Sequence, residues 1–180
     1  AALALDVRVP GMKFASIEKP LQIGAKASSF DASAALRVPG VRSAFAVTSG
    51  VAVVADNTWA AFQGRKALSI TWTPGPNAGV STEGMYATAR ALAKGPGGVL
   101  KSTGDVASAT TAHVVEATYE TPYLAHAAME PMNTTADVRA DRVTIWTATQ
   151  AQTLAQQAAA RVAGLPIEAV TVNMTYVGGG

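Results

Sequence analysis

Two segments rich in glycine and proline, residues 74–81 and 94–105, limit how this sequence can fold. Such stretches favour turns and linkers over helices and strands, so we expect a break between two folded parts somewhere from residue 74 to residue 105. The sequence between them, TEGMYATARALAK, is typical of a helix. The chain is therefore expected to form two parts, with no single sheet running through both.

The N-terminal part alternates short apolar runs with turn residues. The apolar run at residues 12–17 and the run after Gly24 predict strands, and VRSAFAV and VAVVADN predict two more. Because VAVVADN is nearly all apolar, its strand is expected to be buried on both faces. ASAALRVPG and WAAFQGRKALSI predict two helices, and ITWTPG predicts a last strand.

The C-terminal part carries more regular patterns. Residues 115–120 alternate between apolar and polar, which is typical of a half-buried strand. TADVRADRVTIWTATQ predicts a hairpin that turns at Ala140 and Asp141 and places Gln150 at the end of its second strand. AQTLAQQAAARVAGLP predicts an amphipathic helix, and IEAVTVNMTYV a strand that leads into three glycines. A strand entering a glycine-rich turn can bring backbone amides close to an anion such as phosphate.

Composition argues against several functional classes. The chain is 49% hydrophobic and 14% charged, with a formal net charge of +2 and scattered Lys and Arg, so nucleic acid is not an expected partner. No apolar run approaches the roughly 20 residues of a membrane-spanning helix. The chain has no cysteine and therefore offers no thiolate metal site. His113 and His126 lack the spacing of a zinc site, so no metal ligands are predicted.

Two polar residues each allow more than one interpretation from the residues alone. Glu130, in the stretch HAAMEP, is suited to acid or base chemistry, to accepting hydrogen bonds from backbone amides, or to simple solvation. Gln150 cannot transfer protons, but its amide carries two donors suited to an oxo or carbonyl oxygen. A glutamine at such a position is more often a helix cap, so both roles stay open at this point.

Three motifs in order carry a family resemblance: TPYLAHAAMEPMNTTADV, VTIWTATQAQTLAQQAAARVAGLP and VTVNMTYVGGG. They resemble the start of the molybdopterin-binding region in large subunits of the xanthine oxidase family, nearest to its isoquinoline 1-oxidoreductase β-subunit and membrane-associated aldehyde dehydrogenase branch. Residues 29–77 resemble the α/β hammerhead domain that precedes this region. The resemblance implies an α+β fold, with a hammerhead-like domain at 1–80, a linker with a short helix at 81–104 and the first part of a molybdopterin-binding domain at 105–180.

The resemblance also implies site residues. Gln150 matches the glutamine that, in the family, donates a hydrogen bond to an oxygen ligand of molybdenum, so it is predicted to be catalytic and cofactor-binding. Gly178, Gly179 and Gly180 match the start of the family's Gly-Gly-Gly-Phe-Gly loop and are predicted to bind the cofactor. Thr134 stands where a cysteine often follows MEPMN, so any role of that thiol is absent. The family's catalytic glutamate lies farther downstream, outside these 180 residues.

The activity implied by the resemblance is that of a molybdenum hydroxylase acting on an aldehyde or N-heterocycle at an electron-poor carbon. The implied cofactor is molybdenum-molybdopterin in its cytosine dinucleotide form, with electrons passing to iron–sulfur clusters on a partner subunit. We expect the chain to be one piece of a larger subunit, completed by a second chain beginning near the phenylalanine of that loop, and to be inactive alone. Exported relatives favour the periplasm, with the cytoplasm as the alternative. A non-catalytic scaffold or partner-binding fragment, and a degenerate homologue without cofactor, are the other interpretations.

Overall fold

The computed structural model describes residues 3–105, 108 and 112–179. This part of the chain contains eight strands and four α-helices, arranged in two compact units. One unit comprises Phe14–Tyr123, and the other comprises Ala1–Lys13 together with Leu124–Gly180. The mixed α and β fold predicted from the sequence is confirmed.

The unit of residues 14–123 contains two antiparallel sheets and three helices. Its elements, in chain order, are β1 (Phe14–Glu18), β2 (Lys26–Asp31), α1 (Ser33–Leu36), β3 (Val41–Val47), β4 (Gly50–Ala55), α2 (Thr58–Lys66), β5 (Ser69–Thr73) and α3 (Thr82–Leu92). One sheet has the strand order β1-β4-β3, and β2 pairs with β5 in the other. The predicted burial of β4 on both faces is confirmed, since Val51 and Val53 on one face are fully buried and Ala52 on the other face is also buried.

Helix α2 packs closely on the sheet that contains β4. The side chain of Asn57 caps the helix by accepting a hydrogen bond from the N–H of Ala60 at 2.8 Å. Ala60, Ala61 and Gly64 are the buried positions of α2. Small residues at these positions let the helix backbone approach the sheet. Val41 of β3 packs against the cluster that Ala60 and Ala61 form with Ala55 of β4.

We expect Gly64→Ala to destabilise this unit. A Cβ at this position would lie 2.7 Å from Val41 Cγ2 and 2.9 Å from Val53 Cγ1, which forces these groups apart. Overpacking of about 1–3 kcal/mol outweighs the roughly 0.5–1 kcal/mol that alanine gains over glycine in a helix. Denaturant unfolding should therefore show a net loss. The control is Gly84→Ala in α3, where only the Ser81 hydroxyl lies near a new Cβ; equal stability of both variants would contradict the argument.

The second unit contains one three-stranded sheet and one long helix. Its elements are β6 (Thr134–Val138), β7 (Val143–Thr147), α4 (Gln152–Ala163) and β8 (Val170–Met174), with short 3-10 helices at Ala4–Asp6 and Ile167–Ala169. β6 and β7 are antiparallel, whereas β7 and β8 are parallel and are joined through α4. The carboxyl ends of β7 and β8 therefore meet at one edge of the sheet.

Local patterns predicted this second unit well. The hairpin turns at Ala140 and Asp141 as expected, closed by a hydrogen bond of 2.8 Å from Arg139 N to Arg142 O. Helix α4 ends at Gly164, whose φ of 69° lies in the left-handed region that favours glycine. The unit has a small core in which β7, α4 and β8 meet; its buried members are Val143, Ile145, Ala160 and Val170.

The strand predicted at residues 115–120 is wrong. This segment lies outside every strand of the described chain, and its side chains are exposed. Alternation produces a strand only where a neighbouring strand pairs with it and a core covers its apolar face. Side chains of α3 bind the end of this segment instead: Arg90 donates two hydrogen bonds to Glu120, of 2.6 and 2.8 Å, and Tyr86 donates one of 2.6 Å to Thr121 O.

Packing divides the chain at two points, between Lys13 and Phe14 and between Tyr123 and Leu124. The residues before the first point pack with the C-terminal sheet, although the whole of the other unit separates them in sequence. The break predicted between residues 74 and 105 is wrong for packing, because this whole range lies within the unit of residues 14–123, where Asn77 Nδ2 donates to Ile23 O at 3.0 Å. The predicted domain boundaries at residues 80 and 104 are a separate statement and stay a prediction.

Candidate functional site

The carboxyl ends of β7 and β8 lie side by side, because Thr147 pairs with Met174 in their parallel register. Beyond this pair, the N–H of Thr175 donates to Thr147 O at 3.1 Å. β6 begins at the same edge, where Thr134 Oγ1 lies 2.8 Å from Thr147 Oγ1. Ligands of parallel sheets with crossover helices bind beyond the carboxyl ends of the strands. The loops that follow β7 and β8, and the loop that precedes β6, are therefore the candidate binding loops.

Gln150 lies in the loop between β7 and α4. Its side chain is exposed and makes no hydrogen bond with another residue in the described ranges. It is not a helix cap, because the N-cap of α4 is Ala151, whose own N–H donates to Thr149 Oγ1 at 3.0 Å. The neighbouring Gln152 is engaged instead, donating to Met174 Sδ at 3.0 Å. The amide of Gln150 is thus available to an external acceptor, and its predicted cofactor role stays a prediction.

Gly178 and Gly179 follow β8 at the same edge of the sheet. Gly178 is partly buried and contacts Glu130, whereas Gly179 is exposed. Gly179 has a φ of 87°, a conformation that other residues rarely adopt, and its N–H donates to Val177 O at 3.2 Å. Gly180, predicted with them to bind the cofactor, lies outside the described residues. The structure therefore brings Gly178, Gly179 and Gln150 to one edge, and their roles in binding stay predictions.

Glu130 is the buried charged residue at this edge, with 5% of its surface exposed. Its Oε1 accepts hydrogen bonds from the N–H of Leu5 at 2.9 Å and from Asn133 Nδ2 at 3.2 Å. Its Oε2 accepts one from the N–H of Gly178 at 2.9 Å, and its own N–H donates to Gly178 O at 3.1 Å. Of the three interpretations open from the sequence, the structure shows the carboxylate accepting backbone hydrogen bonds.

These contacts lower the pKa of Glu130 below its ordinary value of 4.5. The largest cause is the hydrogen bond from Leu5, because it stabilises the charged form. Burial acts in the opposite direction, and donors from Asn133, Gly178 and Ala4 lower the pKa further. Glu130 is therefore an anion at neutral pH, suited to accepting hydrogen bonds and not to donating a proton.

We expect acid to weaken the second unit through Glu130. Its pKa is lower in the folded chain, so the carboxylate stabilises the fold above its unfolded-state pKa, and this contribution is lost as the pH falls through the folded-state value. Unfolding of Glu130→Gln should consequently depend less on pH than that of the wild type below about pH 5. Thermal melts followed by circular dichroism over this range would test it. Glu168→Gln, at an exposed position, should keep the wild-type dependence; a Glu130→Gln profile parallel to the wild type would refute the assignment.

Two other properties of the described residues bear on the site. No group of three or more His, Cys, Asp or Glu side chains within the described ranges is arranged to hold a metal ion. His113 and His126 are both exposed. Among the helices of the described chain, none combines the length and apolar character needed to cross a membrane.

The part of the chain that forms this edge of the sheet matches a known family. Residues 92–180 match the family of the molybdopterin cofactor-binding domain. The chain carries a molybdopterin cofactor-binding domain. The matched range includes β6, β7, α4 and β8 and therefore the candidate residues Glu130, Gln150, Gly178 and Gly179.

Sequence similarity to known molybdenum enzymes extends beyond the molybdopterin cofactor-binding domain to the rest of the chain. The chain is 27% identical over 192 residues to isoquinoline 1-oxidoreductase subunit beta of Brevundimonas diminuta, covering 100% of this chain and 25% of that protein. It is 35% identical over 82 residues to the aldehyde oxidoreductase molybdenum-binding subunit PaoC of Escherichia coli strain K12, covering 44% of this chain and 11% of PaoC. The resemblance to the xanthine oxidase family of molybdenum enzymes is confirmed.

A solved structure shows the same fold around this domain. Quinoline 2-oxidoreductase from Pseudomonas putida 86 superposes with a TM-score of 0.69 at 18% identity, covering 99% of this chain and 28% of that one. The chain thus spans about a quarter of the length of the relatives that it matches throughout.

Proposed function

We propose that the complete subunit is a molybdenum hydroxylase that oxidises an aldehyde or N-heterocycle at an electron-poor carbon. The observation that carries this proposal is that Gln150 and the glycines Gly178 and Gly179 lie at one sheet edge within the molybdopterin cofactor-binding domain. The names of the relatives, which refer to isoquinoline and aldehyde oxidoreductases, support the substrate class.

The residues at this edge suit a cofactor rich in oxygen atoms. The exposed Gln150 amide carries two N–H donors that no described residue occupies. The position of Gly179 is open, since a Cβ there would have only Met129 N within 4 Å, at 3.9 Å. A ligand can therefore approach the Gly179 backbone closely, as cofactor loops require. The residues present therefore fit a molybdopterin cofactor that is held through its oxygen atoms, with no side chain of the described residues coordinating the metal.

Each of these residues has a defined role in the proposed activity. The cofactor, when bound, supplies the redox chemistry that removes two electrons from the substrate carbon. Gln150 donates a hydrogen bond to an oxygen that faces it, which fixes orientation and stabilises developing negative charge. An amide neither takes up nor releases a proton at neutral pH, so this role is electrostatic. The oxygens of Glu130 are occupied by N–H donors, so it is not the base; the base implied by the family resemblance lies outside these residues.

The length and the name of one relative support a larger assembly that contains this chain. The chain corresponds to about a quarter of a protein named as a subunit, which supports completion by the remainder of the large subunit. We further propose the cytosine dinucleotide form of the cofactor, an iron–sulfur partner subunit as the electron acceptor, and a periplasmic location. These three follow from the family resemblance and are tested separately, by nucleotide release, metal analysis and cell fractionation.

The experiment that tests the proposed function is purification of the native complex through a tag on this subunit. Intact mass spectrometry identifies every chain, and elemental analysis gives molybdenum and iron per complex. Oxidation of aldehydes and N-heterocycles is then assayed with an artificial electron acceptor. We expect one molybdenum per large subunit and turnover of at least one substrate class. A complex that holds no molybdenum would refute the proposal and favour a scaffold or a degenerate homologue.

A further inference from the structure

We propose that Glu130 is a positioning residue, which holds the backbone of Gly178 so that the loop entered at Gly179 has the orientation that the molybdopterin cofactor requires. The cofactor part of this inference rests on the proposed function. The contact between Glu130 and Gly178 rests on the geometry of the chain alone.

Glu130 and Gly178 form a reciprocal pair of hydrogen bonds. The N–H of Glu130 donates to Gly178 O at 3.1 Å, and the N–H of Gly178 donates to Glu130 Oε2 at 2.9 Å. Both polar groups of the Gly178 backbone are thus bound by one residue. The two groups belong to the peptide units on either side of the Gly178 Cα, so one bond holds each unit and together they restrict rotation at Gly178.

The other carboxylate oxygen binds two further donors. Glu130 Oε1 accepts from Leu5 N at 2.9 Å and from Asn133 Nδ2 at 3.2 Å. The N-terminal segment also meets the end of β8 through a parallel bridge between Leu3 and Tyr176. Three chain segments therefore converge on one buried carboxylate. Because water has little access to it, loss of an acceptor would leave a donor unsatisfied, which is costly.

The absence of a side chain at Gly178 makes this contact possible. A Cβ on Gly178 would lie 3.0 Å from Glu130 Cβ, closer than most real contacts, and 3.4 Å from Glu130 N. Glu130 thus supplies the hydrogen-bond acceptor, and Gly178, having no side chain, leaves room for Glu130 to approach. Gly179, which follows at once, is exposed and has a φ of 87°. The orientation of Gly178 therefore sets the direction in which the chain enters the exposed loop.

The test compares the wild-type complete subunit, with its partner chains, with its Glu130→Gln variant. Glutamine keeps the size of the side chain but offers one acceptor oxygen, so either Gly178 or the Leu5 and Asn133 donors must face an NH₂ group. Hydrogen–deuterium exchange of the peptides that contain Leu5 and Gly178 should become about tenfold faster in at least one of them, while β7 and β8 keep their protection. Molybdenum content per subunit should fall about tenfold or more in the same sample.

Three further variants make the result specific. Glu168→Gln removes an exposed carboxylate of the same unit and should leave exchange and molybdenum content unchanged. Glu130→Asp keeps both acceptor oxygens on a shorter side chain and should restore part of the molybdenum content. Gly178→Ala disturbs the contact from the opposite side and should reproduce the local exchange pattern of Glu130→Gln. Agreement among these variants would support the proposal.

Each contrary outcome has a definite meaning. Wild-type molybdenum content in a Glu130→Gln variant whose Gly178 exchanges rapidly would overturn the positioning role. Equal loss of protection throughout β6, β7 and β8 would show a general structural role and would overturn it too. If the wild-type complex itself holds no molybdenum, the proposed function fails, and the cofactor part of this inference fails with it; exchange at Gly178 still decides whether the contact exists.

Discussion

Replacement of Gln150 by alanine in the complete subunit is expected to lower turnover by about tenfold or more, with molybdenum content unchanged. The physical reason is that Gln150 supplies an exposed amide at the carboxyl edge of β7 and β8, with no competing hydrogen bond to a described residue. A donor aimed at developing negative charge in a site sheltered from water acts on the transition state more than on the bound substrate. The loss should therefore appear in kcat, measured with an artificial electron acceptor.

Gln157→Ala is the matched control for this variant. Gln157 is an exposed glutamine within α4, away from the loop that follows β7, so its replacement should leave kcat unchanged. A Gln150→Glu variant adds a second comparison, because it keeps the length of the side chain and removes the donors. Unchanged turnover of Gln150→Ala at unchanged molybdenum content would show that the amide does not act on the reaction.

Expressed alone, these 180 residues are expected to bind no molybdenum cofactor and to show no oxidation of aldehydes or N-heterocycles. The relative that matches the whole chain is about four times longer, so about three quarters of that protein has no counterpart here. Within the described ranges, the candidate contacts are the side-chain amide of Gln150 and the exposed backbone of Gly179. Such a small set cannot offset the free energy of ordering a large cofactor.

The measurement is molybdenum by inductively coupled plasma mass spectrometry, with turnover assayed in the same preparation. The complete subunit, purified with its partners from the same host, is the control that shows whether the host supplies the cofactor. Stoichiometric molybdenum with turnover in the lone chain would show that these residues suffice, contrary to our expectation.

Much of the fold could be predicted from sequence because its signals are local. The apolar run of β4 predicted burial on both faces, and the hairpin at Ala140 and Asp141 follows from turn residues between two apolar strands. The end of α4 at Gly164 follows from a glycine and the proline that comes after it. In each case, residues within about ten positions determine the structure, which is the range over which periodicity and turn preferences act.

The pattern at residues 115–120 shows the limit of this approach. Alternation reports that a segment is able to form a strand, whereas strand formation depends on a partner that the pattern does not specify. In the structure, the side chain of Arg90 binds Glu120 and that of Tyr86 binds Thr121 O. Side-chain contacts of this kind cannot be predicted from hydrophobic periodicity.

The role of Glu130 was outside the reach of the sequence for a related reason. Its backbone partners Leu5 and Gly178 lie 125 and 48 residues away along the chain. The available signal was a carboxylate in the stretch HAAMEP, which is compatible with several roles. Gln150 and the glycines were identified through family resemblance, and the sheet edge that they share became visible only when the parallel pairing of β7 and β8 was known.

The packing of residues 3–13 with the C-terminal sheet has a consequence for synthesis on the ribosome. Leu3 and Leu5 are among the first of these residues to leave the exit tunnel, but Tyr176 and Glu130, which bind them, are made after the entire unit of residues 14–123. That unit has its partners nearby in sequence and can fold as translation proceeds. Residues 3–7, LALDV, therefore lack their native contacts and are accessible to chaperones and proteases until β8 has been synthesised.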